Sequence, residues 1–384
     1  MIPYGRQSIS RDDIEEVIEV LRSPFLTQGP KVPEFEAAIC KAVGARYSVA
    51  VNSATSALHV AYLSLGVEPG DVVWTSPITF VATANAALYC GASVEFVDID
   101  LSTFNMCVKD LERKLITAKQ NNRLPKVVTP VHLCGQSCDM AAIKKLSDEY
   151  DFRVVEDASH AVGGQYSGRP IGCCEYSDIS IFSFHPVKII TTGEGGVATT
   201  NDQALADSMR LLRSHGITRN EDLLFRRDGD WYYEQQALGF NYRMTEMSAA
   251  LGCSQLRRLE LFVQSRNELA AVYDSELASL PLHLPKVPSN VVSSRHLYVV
   301  RLKAKEHVAS HAEIFHALRK FEVGVNLHYI PVYRQPYYSD LAISKQDFVN
   351  SEIYYESAIS IPLFHDMTQQ DQETVIDALR VVLA

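Results

Sequence analysis

Seven short runs of β-branched and apolar residues constrain the fold of this chain more than any other feature. They are YSVAV (47–51), VVWT (72–75), VEFVDI (94–99), KVVTPV (126–131), RVVED (153–157), ISIFSF (179–184) and GVATT (196–200). Helical patterns lie between most of them, among them SATSALHVAYLSLG (53–66) and DMAAIKKLSDEY (139–150), both read as amphipathic. Repeats of strand and helix at this spacing build an α/β fold, a mainly parallel seven-stranded sheet flanked by helices. Ligands of such sheets collect at the C-terminal ends of the strands.

With 384 residues the chain exceeds the size at which single cores stop growing, so a large domain and a smaller one are expected. We place them at 1–255 and 256–384. A long helical pattern through SAALGCSQLRRLELF leads into the second. There HLYVVRL (296–302), HAEIFHALRKF (311–321) and VGVNLHYI (323–330) point to a smaller C-terminal α+β domain. Near the N-terminus a helix is expected from about Asp12 to Arg22, with Ser10 and Asp13 at capping-box spacing, placed to clasp a neighbouring chain.

A formal charge of -10 leaves no general basic field for nucleic acid or an anionic membrane, so any phosphate has to be bound locally. No apolar run approaches the length of a membrane span, and MIPYGRQSIS has no charged and apolar leader pattern, so the expected location is cytoplasmic. The eight cysteines form no C-x-x-C pair. VHLCGQSC sets His132 beside Cys134 and Cys138, but no second ligand pair follows at metal spacing, and the segment reads as a strand end and turn with no metal.

Chemistry concentrates at strand ends. In ISIFSFHPVKIITTGEGG the strand closes near Ser183, and Lys188 follows in a loop among Phe184, Val187, Ile189 and Ile190. A lysine in apolar surroundings has a lowered pKa and becomes a usable amine nucleophile. Asp157 ends the run VVED, where an aspartate is equally a helix cap. Paired with Lys188 it gains a second meaning, because a carboxylate beside a pyridine nitrogen keeps that nitrogen protonated. In VNSATSAL a strand gives way to a helix through Ser53 and Thr55, whose hydroxyls join the free helix amides as phosphate donors; SAT is also an ordinary N-cap. Ser183 offers another donor. Phe80, in PITFVATANA, is placed to stack on a flat ring or to pack in a core.

In this order these elements resemble the DegT/DnrJ/EryC1/StrS family of sugar aminotransferases over essentially the whole chain. The matching pieces are LTQGP (26–30), NSATSAL (52–58), PITFVATANA (77–86), PVHLCGQ (130–136), EDASHA (156–161), SFHPVKIITTGEGG (183–196), RSHGI (213–217) and GFNYRMTEMSAALG (239–252). The resemblance implies the fold type I aminotransferase architecture, pyridoxal 5'-phosphate as cofactor, and a homodimer whose active sites are shared between subunits. It assigns Lys188 the covalent attachment, Asp157 the pyridine nitrogen, and His160 a place near the phenolic oxygen. Ser53, Ala54, Thr55 and Ser183 go to the phosphate, Phe80 to the ring face, and Asn241 to the phosphate of the partner's site. From the residues alone, GFNYRM reads as a loop before a helix.

Within the family, SPFLTQG, FHPVKIITTGEGG and VNLHYIPVYRQPYY resemble the branch that aminates UDP-2-acetamido-2,6-dideoxy-β-L-arabino-hexos-4-ulose in pseudaminic acid biosynthesis. By that resemblance the partners are a UDP-linked 4-keto sugar and the amino donor glutamate. Substrate contacts fall to Tyr4, Pro24, Phe25, Leu26, Thr27, Ser53, Asn326, Leu327, His328 and Tyr329. Apart from the resemblance, Arg243 is a candidate for the donor carboxylate. Cys134 departs from the family, where many relatives have tyrosine. The alternatives are a UDP-linked keto pentose or a dTDP-linked keto hexose as substrate, or a non-catalytic protein retaining the fold. The presence of Lys188 and Asp157 argues against the last, and Lys188 against the family's dehydratases.

Overall fold

The seven expected runs assemble into one sheet. Its strands are β1 (Tyr47–Val51), β2 (Val72–Thr75), β3 (Ser93–Phe96), β4 (Val127–Thr129), β5 (Arg153–Asp157), β6 (Ile179–Ser183) and β7 (Gly196–Thr200). Their order is β1-β7-β6-β5-β4-β2-β3. β7 pairs antiparallel with β1 and β6, and the other pairings are parallel. The computed structural model describes residues 1–303, 309–341 and 344–384.

Alternation along the strands sends side chains to two helical layers. Val49, Ile181 and Ala198 pack with α3 (Ala54–Ser64) and α7 (Gln203–Leu212). On the other face Ala50, Phe182 and Val197 meet Phe35 and Ile39 of α2 (Lys31–Val43) and Ala249 of α8 (Glu246–Leu256). Farther along the sheet, Trp74, Val128 and Val154 pack with Leu111 of α5 (Val108–Gln120) and Ile143 of α6 (Met140–Tyr150).

Three local expectations need correction. α3 is not amphipathic: every residue from Ser56 to Tyr62 is buried, because the helix is enclosed by the sheet, α7 and α4 (Ala82–Tyr89). The helical run after Met244 breaks into α8 and α9 (Leu259–Glu276). At the break the Arg258 guanidinium pairs with fully buried Asp13, which belongs to the capping box of α1 (Arg11–Arg22). The segment 323–330 forms only isolated bridges, Val323 with Ile2 and Asn326 with Ser360.

The C-terminal third builds its own cluster around β9 (Tyr298–Leu302), which lies between β8 (Leu282–His283) and β10 (Ala358–Ile361). α10 (His311–Lys320) and α11 (Gln369–Val382) cover it. The first residues of the chain join this part: Gly324 N–H donates to Ile2 O at 2.7 Å and Leu363 N–H to Tyr4 O at 3.1 Å. Among the described residues, no helix is long and apolar enough to cross a membrane.

Candidate active site

At the C-terminal edge of the sheet, Gly196 stands in register with Val51 on one side and Ser183 on the other. The missing side chain matters. A Cβ there would lie 2.5 Å from Ala54 N and 2.6 Å from the Ser53 carbonyl carbon. Only glycine lets the start of α3 settle directly over the strand ends. Ser53 caps that helix by accepting from Ser56 N–H at 3.1 Å, while the amides of Ala54 and Thr55, in the first turn, have no intrahelical acceptor. Two free amides at a helix N-terminus, with the Thr55 and Ser183 hydroxyls, make a local anion cradle in an acidic protein.

The cradle opens into a cavity of about 810 Å³ lined by Asp157, His160 and Lys188 from the sheet side. Register brings two of these together, since Asp157 pairs with Ile181 of β6 and the loop bearing Lys188 leaves that strand. Asp157 is 5 % exposed; its Oδ2 accepts from Thr83 Oγ1 at 2.6 Å and its Oδ1 from Ser159 N–H at 3.1 Å. The Lys188 amine is subject to two opposed effects, the cost of burial and the attraction of Asp157. Burial prevails and lowers the amine's pKa to about 8.

The N-terminal residue Tyr4 and the C-terminal part add Asn326, Leu327, His328 and Tyr329 to the lining. The Asn326 amide donates to His328 Nε2 at 3.3 Å, so the neutral ring's proton lies on Nδ1, 2.8 Å from Ser360 Oγ. Burial, aided by Lys188, lowers the His328 pKa to about 3. His160 is also driven well below its usual value, first by burial and then by Lys188 and His328. Its Nε2 is 3.2 Å from the Tyr329 hydroxyl. Phe80 lines the cavity mouth with its ring 6.0 Å from that of Tyr329.

Six expected site residues lie outside this cavity. Pro24, Phe25, Leu26 and Thr27 are exposed beyond α1, anchored where Leu26 O accepts from Glu246 N–H at 3.1 Å. Asn241 is exposed in a backbone bridge to Ser214, so GFNYRM is an ordered, hydrogen-bonded segment. Arg243 bridges Val51, and among the described residues its buried Nε has no hydrogen-bond partner. Thr83 and His296, which sequence reasoning missed, do line the cavity. Thr83 carries only the faint signal of a hydroxyl in an apolar helical run, and His296, which precedes a strand, carries none.

A cavity combining a lone low-pKa amine, a buried carboxylate and a helix N-terminal anion cradle has the donor set of an enzyme that holds an aldehyde-bearing pyridinium phosphate. The model of the DegT/DnrJ/EryC1/StrS aminotransferase family matches residues 7–380. The chain belongs to that family. It is 39% identical to the spore coat polysaccharide biosynthesis protein SpsC of Bacillus subtilis, over 100% of this chain and 97% of the relative. Identity is 38% with a Campylobacter jejuni UDP-4-amino-4,6-dideoxy-N-acetyl-beta-L-altrosamine transaminase, over 100% and 98%. The solved structure of Helicobacter pylori PseC, an aminotransferase involved in the biosynthesis of pseudoaminic acid, superposes with a TM-score of 0.90 at 30% identity, covering 100% of this chain and 99% of that one. This member of the DegT/DnrJ/EryC1/StrS family is thus a pyridoxal-phosphate-dependent sugar aminotransferase, with the aminotransferase fold expected from its motifs.

Proposed function

We propose that the enzyme moves an amino group from glutamate to C4 of UDP-2-acetamido-2,6-dideoxy-β-L-arabino-hexos-4-ulose, giving UDP-4-amino-4,6-dideoxy-N-acetyl-β-L-altrosamine. The observation that carries this reading is the single cavity shared by Lys188, Asp157 and the start of α3 on one wall and by Tyr4, Asn326, His328 and Tyr329 on the other. The relative from Campylobacter and the structural neighbour from Helicobacter support the choice of sugar.

In this reading the Ala54 and Thr55 amides, with the Ser53, Thr55 and Ser183 hydroxyls, hold the cofactor phosphate. Asp157, kept in place by Thr83, keeps the pyridine nitrogen protonated. Bound pyridoxal phosphate supplies the electron sink for the carbanion at the amino acid's α-carbon. Lys188 would attach the cofactor, and its lowered pKa makes its neutral form accessible near neutral pH, which suits the amine to take up the donor's α-proton.

Asn241, Pro24, Phe25, Leu26 and Thr27 fit a homodimer in which they serve the partner's cavity. All five are exposed and none reaches the cavity of its own chain. Mixing Lys188→Ala with Asn241→Ala protein tests this, because one site of the mixed dimer receives both intact residues. Activity above that of either variant alone is expected once subunits exchange; activity no higher removes the shared site. Residence in the cytoplasm belongs to the same proposal.

A second reading, another nucleotide-linked keto sugar, is favoured by the equally high identity to a spore coat polysaccharide protein. NMR of the product formed from glutamate and the UDP-linked 4-ketohexose decides between them. A new C4 amine on that sugar is expected, and no product there alongside turnover of a dTDP-linked or pentose keto sugar would replace the first reading by the second.

A further inference from the structure

The hydrogen bonds around His160 fix where its proton sits. Cys134, held at φ 61°, turns its buried backbone N–H to His160 Nδ1 at 3.3 Å. A ring nitrogen that accepts carries no proton, so in the neutral imidazole the single N–H is on Nε2. That N–H faces Tyr329 Oη at 3.2 Å, and the phenol oxygen must accept. The hydroxyl proton of Tyr329 is thereby left for another acceptor. Among the described residues Tyr329 Oη has no other hydrogen-bond partner, and the residue lines the cavity that holds Lys188. His296 packs against the far side of His160, with ring centroids 4.4 Å apart, and keeps the imidazole from turning.

We propose that the Tyr329 hydroxyl is a catalytic hydrogen-bond donor to the carbonyl oxygen of the keto sugar, with His160 as its positioning residue. This rests on the sugar aminotransferase reading but not on the identity of the nucleotide. As the amine nitrogen adds to the carbonyl carbon, the C=O π electrons move to the oxygen, which finally leaves as water with the two protons the nitrogen gives up; a donor already aimed there stabilises the growing negative charge without rearrangement. Tyr329 keeps its proton, so no bond to the protein forms or breaks. The donor lines the same cavity as Asp157, Lys188 and the helix cradle, so a substrate bound beside the cofactor comes within its reach.

Tyr329→Phe removes the hydroxyl and leaves the ring. Wild-type holoenzyme is first assayed on a panel of nucleotide keto sugars, and the two half-reactions are then followed separately with the best substrate by the cofactor's absorbance. In Tyr329→Phe the glutamate half-reaction should stay within about twofold of wild type while the maximal rate with sugar falls roughly ten- to a hundredfold. The pH titration of the visible absorbance should not move. His160→Gln, whose amide supplies both an acceptor and a donor, should retain more of the sugar half-reaction than His160→Leu. A displaced absorbance titration with both half-reactions slowed alike would mean that the hydroxyl faces the cofactor, and an unchanged sugar half-reaction that it faces neither; either overturns the proposal. A wild type silent on every keto sugar would instead overturn the sugar reading itself and this inference with it.

Discussion

The two walls of the cavity are built by different means. The sheet side is made of backbone: strand ends brought abreast by register, a glycine whose Cβ would come within 2.5 Å of the helix start, and amides left free by helix geometry. The C-terminal side is made of side chains holding other side chains and carbonyls. Asn326, His328 and Ser360 form one chain of hydrogen bonds, and the Tyr354 hydroxyl donates to His328 O at 2.6 Å. Behind them fully buried Arg266 donates to Leu363 O at 2.8 Å and His296 O at 3.3 Å, and burial lowers its pKa to about 10. A backbone-built wall tolerates few changes and suits chemistry common to many substrates. A wall built of side chains can be refitted residue by residue, which suits selection of one sugar.

Substitutions on the two walls should separate along the same line. The largest expected effect belongs to Asp157→Asn, which keeps the shape and removes the charge: both half-reactions should slow by about a hundredfold or more, measured by single turnover with each substrate. Slowing of the sugar step alone would break the division. Gly196→Ala comes next. Its methyl meets the Ser53 and Ala54 backbone, so the helix start must shift, and equilibrium titration should show cofactor affinity lower by roughly tenfold, the equivalent of an overpacking cost of about 1–3 kcal/mol. Unchanged affinity would remove the cradle from the phosphate site. Asn326→Ala is the mildest, losing the neutral hydrogen bonds to His328 and from Leu327 N–H at about 1 kcal/mol each, so kcat/KM for the keto sugar should fall several-fold with glutamate kinetics intact. An equal loss with glutamate would show that this wall serves both substrates.

The same contrast explains what was legible in the sequence. Strand ends, and hence Asp157, Ser183 and the loop of Lys188, follow from local patterns of period two and their interruption. The break at Arg257 and Arg258 does not, because both are good helix formers and the cause is Asp13, 245 residues from Arg258. The α3 helix misled because a helix enclosed by neighbours needs no polar face. The 323–330 segment looks like a strand, yet its partners Ile2 and Ser360 come from distant parts of the chain and satisfy it one bridge at a time. Thr83 reaches Asp157 across 74 positions, a distance at which one sequence carries no signal.

The most direct test of the central assignment is to mix apoenzyme with pyridoxal phosphate across a pH series, reduce with borohydride, and map the labelled peptide. A pKa lowered from 10.5 to about 8 gives an amine that is mostly protonated at pH 7 and mostly free by pH 9. The label should therefore sit on Lys188 alone, with an initial capture rate that rises with pH and levels off above about pH 8. Label on another lysine, or a capture rate still climbing toward pH 10.5 as for an exposed amine, would contradict the assignment of Lys188.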